Sequence, residues 1–405
     1  MSYGLPRTGW TTPLDRRRYG RSLVAILSTG VLMRFFFDPK LFPRKAHVFG
    51  ACATLLMLAG CTPNGAPGTG ACARPDLAFA GDVLLHDLIQ SDAAGRPEGF
   101  APAFQPIAAA LSRAHVTVVN LEGPSARNIA PNHRESADPG TIFDGYIYSG
   151  YPTFNYHPSI AAALAQAGVD VVQTANNHAM DRGGIGVDRT LLSLADAGLS
   201  STGTRQSRAS ASWHHIRQVN GHNIAFLACT YSINGRRDSR NQTLNCYGNT
   251  PSIPILIQSL VAQSEIDGVI LLPHWGVEYS RAPNARQRDL AQAAADAGAI
   301  AVVGAHPHVL QPIQTITSQD GRQVPVAFSL GNLISAQWRL DRRTGAVLFL
   351  DLGTDPEGRV VATSPRYLPT RVERTTERGV VVFPAALVQT GVPSLAHAQA
   401  VLGPG

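Results

Sequence analysis

Acidic, amide and imidazole side chains at intervals between residues 82 and 308 have the chemistry of a metal-binding set. Asp82 closes the motif Phe-Ala-Gly-Asp, and Glu122 lies in Asn-Leu-Glu-Gly-Pro. The other potential ligands are an amide and three imidazoles: Asn177, His274, His306 and His308. Oxygen ligands combined with imidazole nitrogens suit Mn, Fe or Zn better than a cation that prefers oxygen alone. The set exceeds the needs of one tetrahedral ion, so it predicts two divalent ions that share a carboxylate.

Each of these residues also has a simpler interpretation. An Asp after a strand often caps a helix, Asn-Asn-His can form a turn, and an isolated histidine is more often packed or exposed than bound to a metal. The coincidence of all of them directly after predicted strands favours the metal site. In addition, the sequence His-Pro-His places His306 and His308 two residues apart.

From residue 76 onward, short apolar runs alternate with alanine-rich helical segments, which is typical of β-α units. Strands are predicted at residues 77–80, 116–119, 169–174, 266–272 and 300–303. Helices are predicted at residues 104–114, 160–167, 190–197 and 290–297. Each strand delivers a polar cluster just past its carboxyl end, where open α/β sheets bind ligands. Residues 346–352 and 360–363 flank a hairpin turn and are expected in a second layer of the same domain.

The positive charge of the chain is concentrated near its N-terminus. The formal net charge is +6, but residues 1–60 hold nine Lys/Arg and two Asp/Glu, which leaves a net charge of −1 for the remainder. That remainder lacks the basic excess typical of nucleic-acid binding, so no nucleic-acid partner is expected. Both lysines, Lys40 and Lys45, lie in the same N-terminal segment, which excludes lysine chemistry downstream.

Residues 1–60 have the pattern of a secretory leader. Basic residues precede an apolar run at 46–60, and Leu-Ala-Gly-Cys follows at 58–61. The run is short for a transmembrane span, and its end resembles a bacterial lipobox, which predicts lipidation of Cys61 and a membrane-anchored protein exported to the cell envelope. A plain signal peptide or a single hydrophobic anchor is the alternative. A second apolar stretch at 23–33 leads to the hypothesis that Met33 is the true start.

None of the five cysteines forms a Cys-x-x-Cys pair, so a thiolate zinc site is not expected. Cys229 and Cys246 are the nearest pair in the main domain. An exported location would permit a disulfide between them, although sequence does not determine the connectivity.

The order of the motifs resembles the CapA family, which is associated with capsular poly-γ-glutamate and is similar to calcineurin-like metallophosphoesterases. The resemblance spans residues 76–334 and rests on Gly-Asp at 81–82, Asn-Leu-Glu at 120–122, Ala-Asn-Asn-His at 175–178, Asp181, Gly183, Thr190, Leu194, His-Trp-Gly-Val-Glu-Tyr at 274–279, Gly-Ala-His-Pro-His at 304–308 and Ser-Leu-Gly-Asn at 329–332. It implies an α/β fold, a metallophosphoesterase-like four-layer αββα sandwich of two β-sheets covered by helices, in a single main domain.

The resemblance also implies roles for the candidate ligands. Asp82 would bind one ion together with His308, and Glu122 would bridge both ions. The second ion would be held by one amide and two imidazoles: Asn177, His274 and His306. His178 would act beside the site as general acid or stabiliser of the transition state.

Three further residues and one segment are candidates with open alternatives. His86, four residues after Asp82, either completes the shell of the first ion or is a surface loop histidine. Asp181 and Arg182 are candidate substrate contacts. Arg182 stands where an aromatic residue is expected, and it either contacts an anionic substrate or faces solvent. Residues 128–151 match no family motif and form either a lid or specificity loop or a long solvated insertion.

The expected organisation is a leader at 1–60, a tether at 61–75, the main domain at 76–372 and a loosely packed tail at 373–405. The expected function is a metal-dependent hydrolase or transferase of the bacterial envelope, acting on phosphoester or amide bonds in capsule biosynthesis. Its expected partners are the membrane, an anionic polymer or phosphorylated substrate, and a capsule synthesis complex. The alternative is a non-catalytic accessory lipoprotein that organises such a complex. An arginine-dominated polyanion binder is disfavoured by the net charge of −1.

Overall fold

The computed structural model describes residues 74–208 and 212–403. The predicted leader, Cys61 and nearly all of the tether lie outside these residues. The strands are β1 Leu77–Val83, β2 Val116–Leu121, β3 Val171–Gln173, β4 Ser200–Thr202, β5 His214–Val219, β6 His222–Thr230, β7 Gly268–His274, β8 Ala299–Val303, β9 Leu310–Thr317, β10 Gln323–Leu330, β11 Asn332–Ile334, β12 Thr344–Thr354, β13 Val360–Thr375 and β14 Gly379–Pro384. The helices are α1 Asp87–Ala94, α2 Ala101–Phe104, α3 Ala108–Leu111, α4 Ser159–Gln166, α5 Gly183–Asp196, α6 Ile253–Val261, α7 Ala285–Asp296 and α8 Val392–Leu402.

The strands form two sheets. The first has the order β14-β13-β12-β1-β2-β3-β4, with β11 also paired to β1, and the second has the order β5-β6-β7-β8-β10-β9. In the first sheet β1 to β4 run parallel, and in the second β6, β7 and β8 run parallel. Parallel strands require crossover connections, and helices α1 to α7 lie within these connections.

Alternating side chains of the strands fill three separate cores. In β1, Leu77 and Phe79 point into the core between the sheets, where Phe226 and Ile270 of the second sheet meet them. Ala78 and Ala80 point the opposite way, into a core shared with α1 to α4. A third core lies between the outer face of the second sheet and helices α6 and α7. This period-two alternation confirms the predicted α/β fold of four layers in a single domain, with helices, two sheets and helices in turn.

Two predicted helices differ from the structure. The helix predicted at 104–114 is divided into α2 and α3, because Pro106 between them lacks an N–H and would clash with the preceding turn of a continuous helix. The helix predicted at 190–197 begins seven residues earlier, at Gly183. Three glycines in its first turn lower the helix propensity there, so the sequence pattern does not indicate a helix at these residues.

The expectation of a loosely packed tail after residue 373 is wrong. Strand β14 pairs with β13 over Thr370–Thr375, and Val380, Val381 and Val382 are at most 1% exposed. In α8, Ala398 reaches the core between the sheets and Ser394 contacts the Thr344 hydroxyl at 2.7 Å. A strand buried on both faces has no apolar-polar alternation, which explains why its sequence pattern is weak. Likewise, the hairpin strands β12 and β13 do not form a second layer but extend the first sheet, since β12 pairs directly with β1.

Among the described residues, the structure contains no helix with the length and apolar composition that a membrane crossing requires.

A disulfide joins Cys229, in β6, to Cys246, with a Cα–Cα distance of 4.9 Å. Both residues are buried. The bond closes the loop that follows β6, so it fixes residues 230–245 against the second sheet.

We expect this disulfide to stabilise the fold by about 3 kcal/mol, since it closes a loop with a sequence separation of 17. Reducing agent should lower the free energy of unfolding of the wild-type protein by that amount, measured by guanidinium denaturation. The double variant Cys229→Ala/Cys246→Ala is the control, and its stability should not respond to reductant. Equal midpoints for oxidised and reduced wild type would contradict the prediction.

Candidate metal centre

The six predicted ligands converge at the carboxyl ends of strands from both sheets. Asp82 lies near the end of β1, Glu122 directly follows β2, and Asn177 follows β3. From the second sheet come the three imidazoles: His274 at the end of β7, and His306 and His308 after β8. All six are at most 3% exposed. The parallel strands of two sheets therefore bring residues far apart in sequence to one buried site.

Backbone geometry at the site explains two of the motifs. A Cβ at residue 81 would lie 1.8 Å from the carbonyl oxygen of Gly331, so only glycine fits before Asp82. His306 and His308 have φ values of 101° and 58°, a region that non-glycine residues rarely adopt. Such backbone strain persists only where surrounding structure enforces it, and it is concentrated at functional sites.

Asp82 is held in place by hydrogen bonds on both of its oxygens. The Asn120 amide donates to Oδ1 at 2.8 Å, and His308 Nδ1 lies 3.1 Å from Oδ2. Asn332 supports the same ring nitrogen, with Oδ1 at 3.0 Å from His308 Nδ1. These contacts orient the carboxylate and the imidazole relative to each other.

Glu122 differs from Asp82, because neither of its buried oxygens accepts a hydrogen bond from a described protein group. Its nearest polar neighbours are His274 Nε2 at 3.5 Å and His308 Nε2 at 3.7 Å, both longer than an ordinary hydrogen bond. The buried His306 Nδ1 also has no hydrogen-bond partner among the described groups. A buried carboxylate without donors costs several kcal/mol unless a cation compensates it. These residues therefore fit a metal ion.

Two groups of close ligand atoms share Glu122. Asp82, Glu122 and His308 have ligand atoms within 4.8 Å of one another, and so do Glu122, His274 and His306. Asn177 belongs beside the second group, because its Oδ1 lies 2.9 Å from His274 Nε2. The structure thus brings together all six residues predicted as ligands.

The charges of the site are strongly coupled. Burial alone would raise the pKa of Glu122, but His308 and His274 lower it below its ordinary value. Burial alone would lower the pKa of His308, but Glu122 and Asp82 raise it to about 9. Burial and the neighbouring His274 hold the pKa of His306 well below its ordinary value, so His306 is a neutral imidazole suited to metal binding.

His178, the predicted general acid, lies on the loop after β3 and is oriented by Asp181. The His178 Nδ1 to Asp181 Oδ2 distance is 2.7 Å, and the same carboxylate oxygen accepts a hydrogen bond from the Phe154 N–H at 2.8 Å. The Phe154 ring packs edge-on against the imidazole at 4.7 Å. Asp181, a candidate substrate contact, is 2% exposed and engaged with His178, so its observed role is to fix the histidine.

Neither alternative proposed for Arg182 matches the structure, which corrects its prediction as a substrate contact. The side chain is completely buried and contacts neither solvent nor the metal-ligand groups. Its guanidinium donates to the carbonyl oxygens of Ile129 at 3.1 Å and Tyr146 at 3.2 Å, and to Ser149 Oγ at 2.6 Å. Arg182 therefore anchors the segment at residues 128–151 to the start of α5.

The segment at 128–151 is not simply a solvated insertion. Ala130, Ile147 and Tyr148 form a small core of their own, against which Phe143 packs. The buried Asn155 amide donates to the carbonyl oxygens of Ala126 and Ile147, both at 2.8 Å. These bonds fix the path of the segment beside the loop that carries His178.

His86 is half-buried near the site, and no metal-ligand group among the described residues includes it. Its Nδ1 lies 3.3 Å from both the Leu84 carbonyl oxygen and the Ala336 N–H. Only Nε2 is therefore left for a ligand, and the role of His86 stays a prediction.

Sequence reasoning missed Glu278, which forms a third group of close ligand atoms with His306 and His308. Unlike the six predicted ligands, Glu278 is exposed. It does not lie directly at a strand end but in the turn after β7. In this turn Gly276 and Tyr279 have positive φ values. The available signal was the carboxylate in His-Trp-Gly-Val-Glu-Tyr, four residues after His274.

Comparison with known proteins identifies relatives of this chain. Residues 76–337 match the family model of the bacterial capsule synthesis protein PGA_cap. The PGA biosynthesis protein CapA of Bacillus subtilis (strain 168) is 35% identical over 196 residues, which cover 48% of this chain and 50% of that protein. The capsule biosynthesis protein CapA of Bacillus anthracis is 31% identical over 179 residues, or 43% of this chain and 42% of that protein. The matched part thus spans about half the length of these curated relatives.

The solved structures to which this chain is similar include two nucleotidases. A putative 5'-nucleotidase from Staphylococcus aureus aligns with 74% of this chain and 55% of its own, at 14% identity and a TM-score of 0.43. A 5'-nucleotidase precursor from Thermus thermophilus aligns with 80% of this chain and 58% of its own, at 12% identity and a TM-score of 0.42.

The family model covers well over half of the chain, and it includes every residue of the candidate metal centre. The protein therefore belongs to the PGA_cap family of bacterial capsule synthesis proteins, which confirms the resemblance to the CapA family predicted from its motifs.

Proposed function

We propose that this protein is an envelope-anchored hydrolase or transferase that uses two divalent cations to act on an anionic capsule polymer or a phosphorylated substrate. The observation that carries the proposal is the buried Glu122 carboxylate, which accepts no hydrogen bond from any described residue and is common to both groups of ligand atoms. Family membership supports a role in capsule synthesis.

The proposed ligands of each ion follow from the two groups. Asp82 and His308 would hold the first ion, and Glu122 would bridge it to the second. The remaining ligands of the second ion would be Asn177, His274 and His306. This mixture of carboxylate, amide and imidazole donors favours Mn, Fe or Zn. When bound, such ions polarise a phosphoryl or carbonyl oxygen and lower the pKa of water.

His178 is proposed to give a proton to the leaving group. Asp181 engages Nδ1, which leaves Nε2 as the nitrogen that can meet a substrate. A carboxylate on the far side of an imidazole fixes its tautomer and stabilises the imidazolium form. The residues suit phosphoester and amide bonds equally, because both reactions need a leaving group to be protonated.

We expect the purified protein to bind about two equivalents of Mn²⁺, Fe²⁺ or Zn²⁺, and the variant Glu122→Gln to retain less than half of that amount. The neutral amide removes the charge shared by both groups. Elemental analysis by mass spectrometry measures the metal content, and bound metal should raise the melting temperature of the wild type more than that of the variant.

Asp76→Asn is the matched control. Asp76, the residue before β1, is also a buried carboxylate, but it accepts a hydrogen bond from the Leu352 N–H. This variant should keep the full metal content. Equal metal contents in Glu122→Gln and the wild type would overturn the proposed centre.

We expect His178→Asn to lower kcat by about 10²- to 10⁴-fold, the usual contribution of a general acid, with the metal content unchanged. A phosphodiester and a γ-glutamyl anilide serve as substrates, each with and without chelator. Asp181→Asn should lower kcat less, because it keeps the His178 imidazole and removes only the support that the carboxylate gives to its orientation, tautomer and charge. Wild-type protein that binds metal but turns over neither substrate would favour the non-catalytic accessory role.

We also propose that the protein is exported and anchored through lipid on Cys61, as part of a capsule synthesis complex. The basic and apolar pattern of residues 34–61 supports this. Cys61→Ser should move the protein from the membrane fraction to the soluble envelope fraction, and mass spectrometry should find a lipid-modified Cys61 at the mature N-terminus of the wild type. An unmodified residue upstream of Cys61 would contradict the proposal.

A further inference from the structure

An arginine-lined groove of about 720 Å³ lies beside the loop that carries His178. One wall consists of α5, which contributes Gly184, and of Met180 in the turn before this helix. The other wall is made of two loops that contribute Arg208, Arg237 and Arg240. This feature, which we call the arginine groove, contains no ligand of the metal centre. The positive charge of the groove is a local concentration, since the chain beyond residue 60 has a net charge of −1.

The acidic residues of the arginine groove are used internally. Asp188 accepts hydrogen bonds from the Ser207 N–H at 2.8 Å, the Ser207 hydroxyl at 2.6 Å and the Gln242 amide at 3.0 Å. Asp238 accepts from the N–H groups of Gln242 at 2.9 Å and Thr243 at 2.8 Å. Both carboxylates therefore hold the loops in place and form no ion pair with an arginine of the groove.

Three exposed arginines of the groove have no side-chain partner among the described residues: Arg208, Arg237 and Arg240. A fourth, Arg189, pairs with Glu135. Each guanidinium carries several donors in a planar fork that matches a carboxylate or phosphate. Several such groups around one concavity attract an anion with more than one charged group.

The arginine groove is connected to the metal centre through one loop. Asn234 precedes Arg237 by three residues, and its Oδ1 lies 3.5 Å from the amide of Asn177, a proposed metal ligand. On the opposite wall, Met180 lies two residues after His178. A chain bound along the groove would therefore run toward the reacting atoms.

We propose that the arginine groove binds successive anionic groups, carboxylates or phosphates, of a linear polymer and guides the polymer to the metal centre. The inference rests on the proposed function for the reaction, whereas binding in the groove needs only the arginines. The described lining residues include no Phe, Tyr or Trp, and His133 is the one aromatic ring among them, which disfavours a single-stranded nucleic acid that needs a stacking platform for successive bases.

The test measures binding of a fluorescein-labelled γ-linked oligoglutamate by fluorescence anisotropy, with the full protein stripped of metal by chelator. The variant Arg237→Gln/Arg240→Gln should bind about tenfold more weakly than the wild type, with a smaller salt dependence. The matched control Arg374→Gln/Arg378→Gln removes two exposed arginines from the β13–β14 hairpin and should bind like the wild type.

Further arms separate the outcomes. Equal losses in both double variants, or no loss in either, would overturn the proposal. So would a single-stranded RNA that binds more tightly than oligoglutamate and loses affinity in the groove variant. A loss seen with polyphosphate instead of oligoglutamate would support the groove but assign it a phosphate polymer. Because metal is absent throughout, failure of the metal-dependent reaction does not affect this readout.

Discussion

The Glu122 carboxylate, which is buried and accepts no hydrogen bond within the described part of the chain, is the constraint around which this protein is organised. Glu122 is fully buried, and histidines lie at 3.5 and 3.7 Å from it without donating an ordinary hydrogen bond. Such a group is too costly to keep unless something else balances its charge. The fold meets this demand by directing strand ends from two sheets to the same point, where the His274 and His308 imidazoles lie beside Glu122 and the surrounding side chains form a set that can hold cations.

The surroundings of the centre show how precise placement is achieved by several layers of support. Asn120 and Asn332 orient Asp82 and His308 from behind, and the close approach of Gly81 to Gly331 lets two strand ends meet. Outer groups of this kind determine the orientation of metal ligands. Asp181 does the same for His178. Farther from the centre, Arg182 holds the segment at 128–151 against the loop that carries His178, through hydrogen bonds to backbone carbonyls of that segment.

Much of this arrangement was predictable, because it follows from strand ends. Asp82, Glu122 and His274 each lie at or directly after a short apolar run, and parallel sheets bring such positions to one edge. The β-α alternation predicted an α/β fold, whereas the four-layer arrangement was implied by the family resemblance. Local sequence patterns were sufficient to predict a residue's place in the site wherever that place depends on its position along a single strand or helix.

The remaining features depend on contacts between distant segments, which one sequence does not display. Arg182 was expected at a substrate or in solvent. A fully buried arginine is uncommon, yet Arg182 is buried because backbone carbonyls of a separate segment accept its hydrogen bonds. Glu278 lies in a turn, where no strand marks it. The C-terminal strand β14 lacks alternation because both of its faces are buried.

The most direct test of the account is anomalous diffraction from crystals grown with Mn²⁺, recorded at a wavelength where manganese scatters strongly. We expect two anomalous peaks on either side of the Glu122 carboxylate, one beside Asp82 and His308 and the other beside His274 and His306. The absence of any peak at Glu122, or a peak only between Glu278 and the exposed surface, would contradict the account.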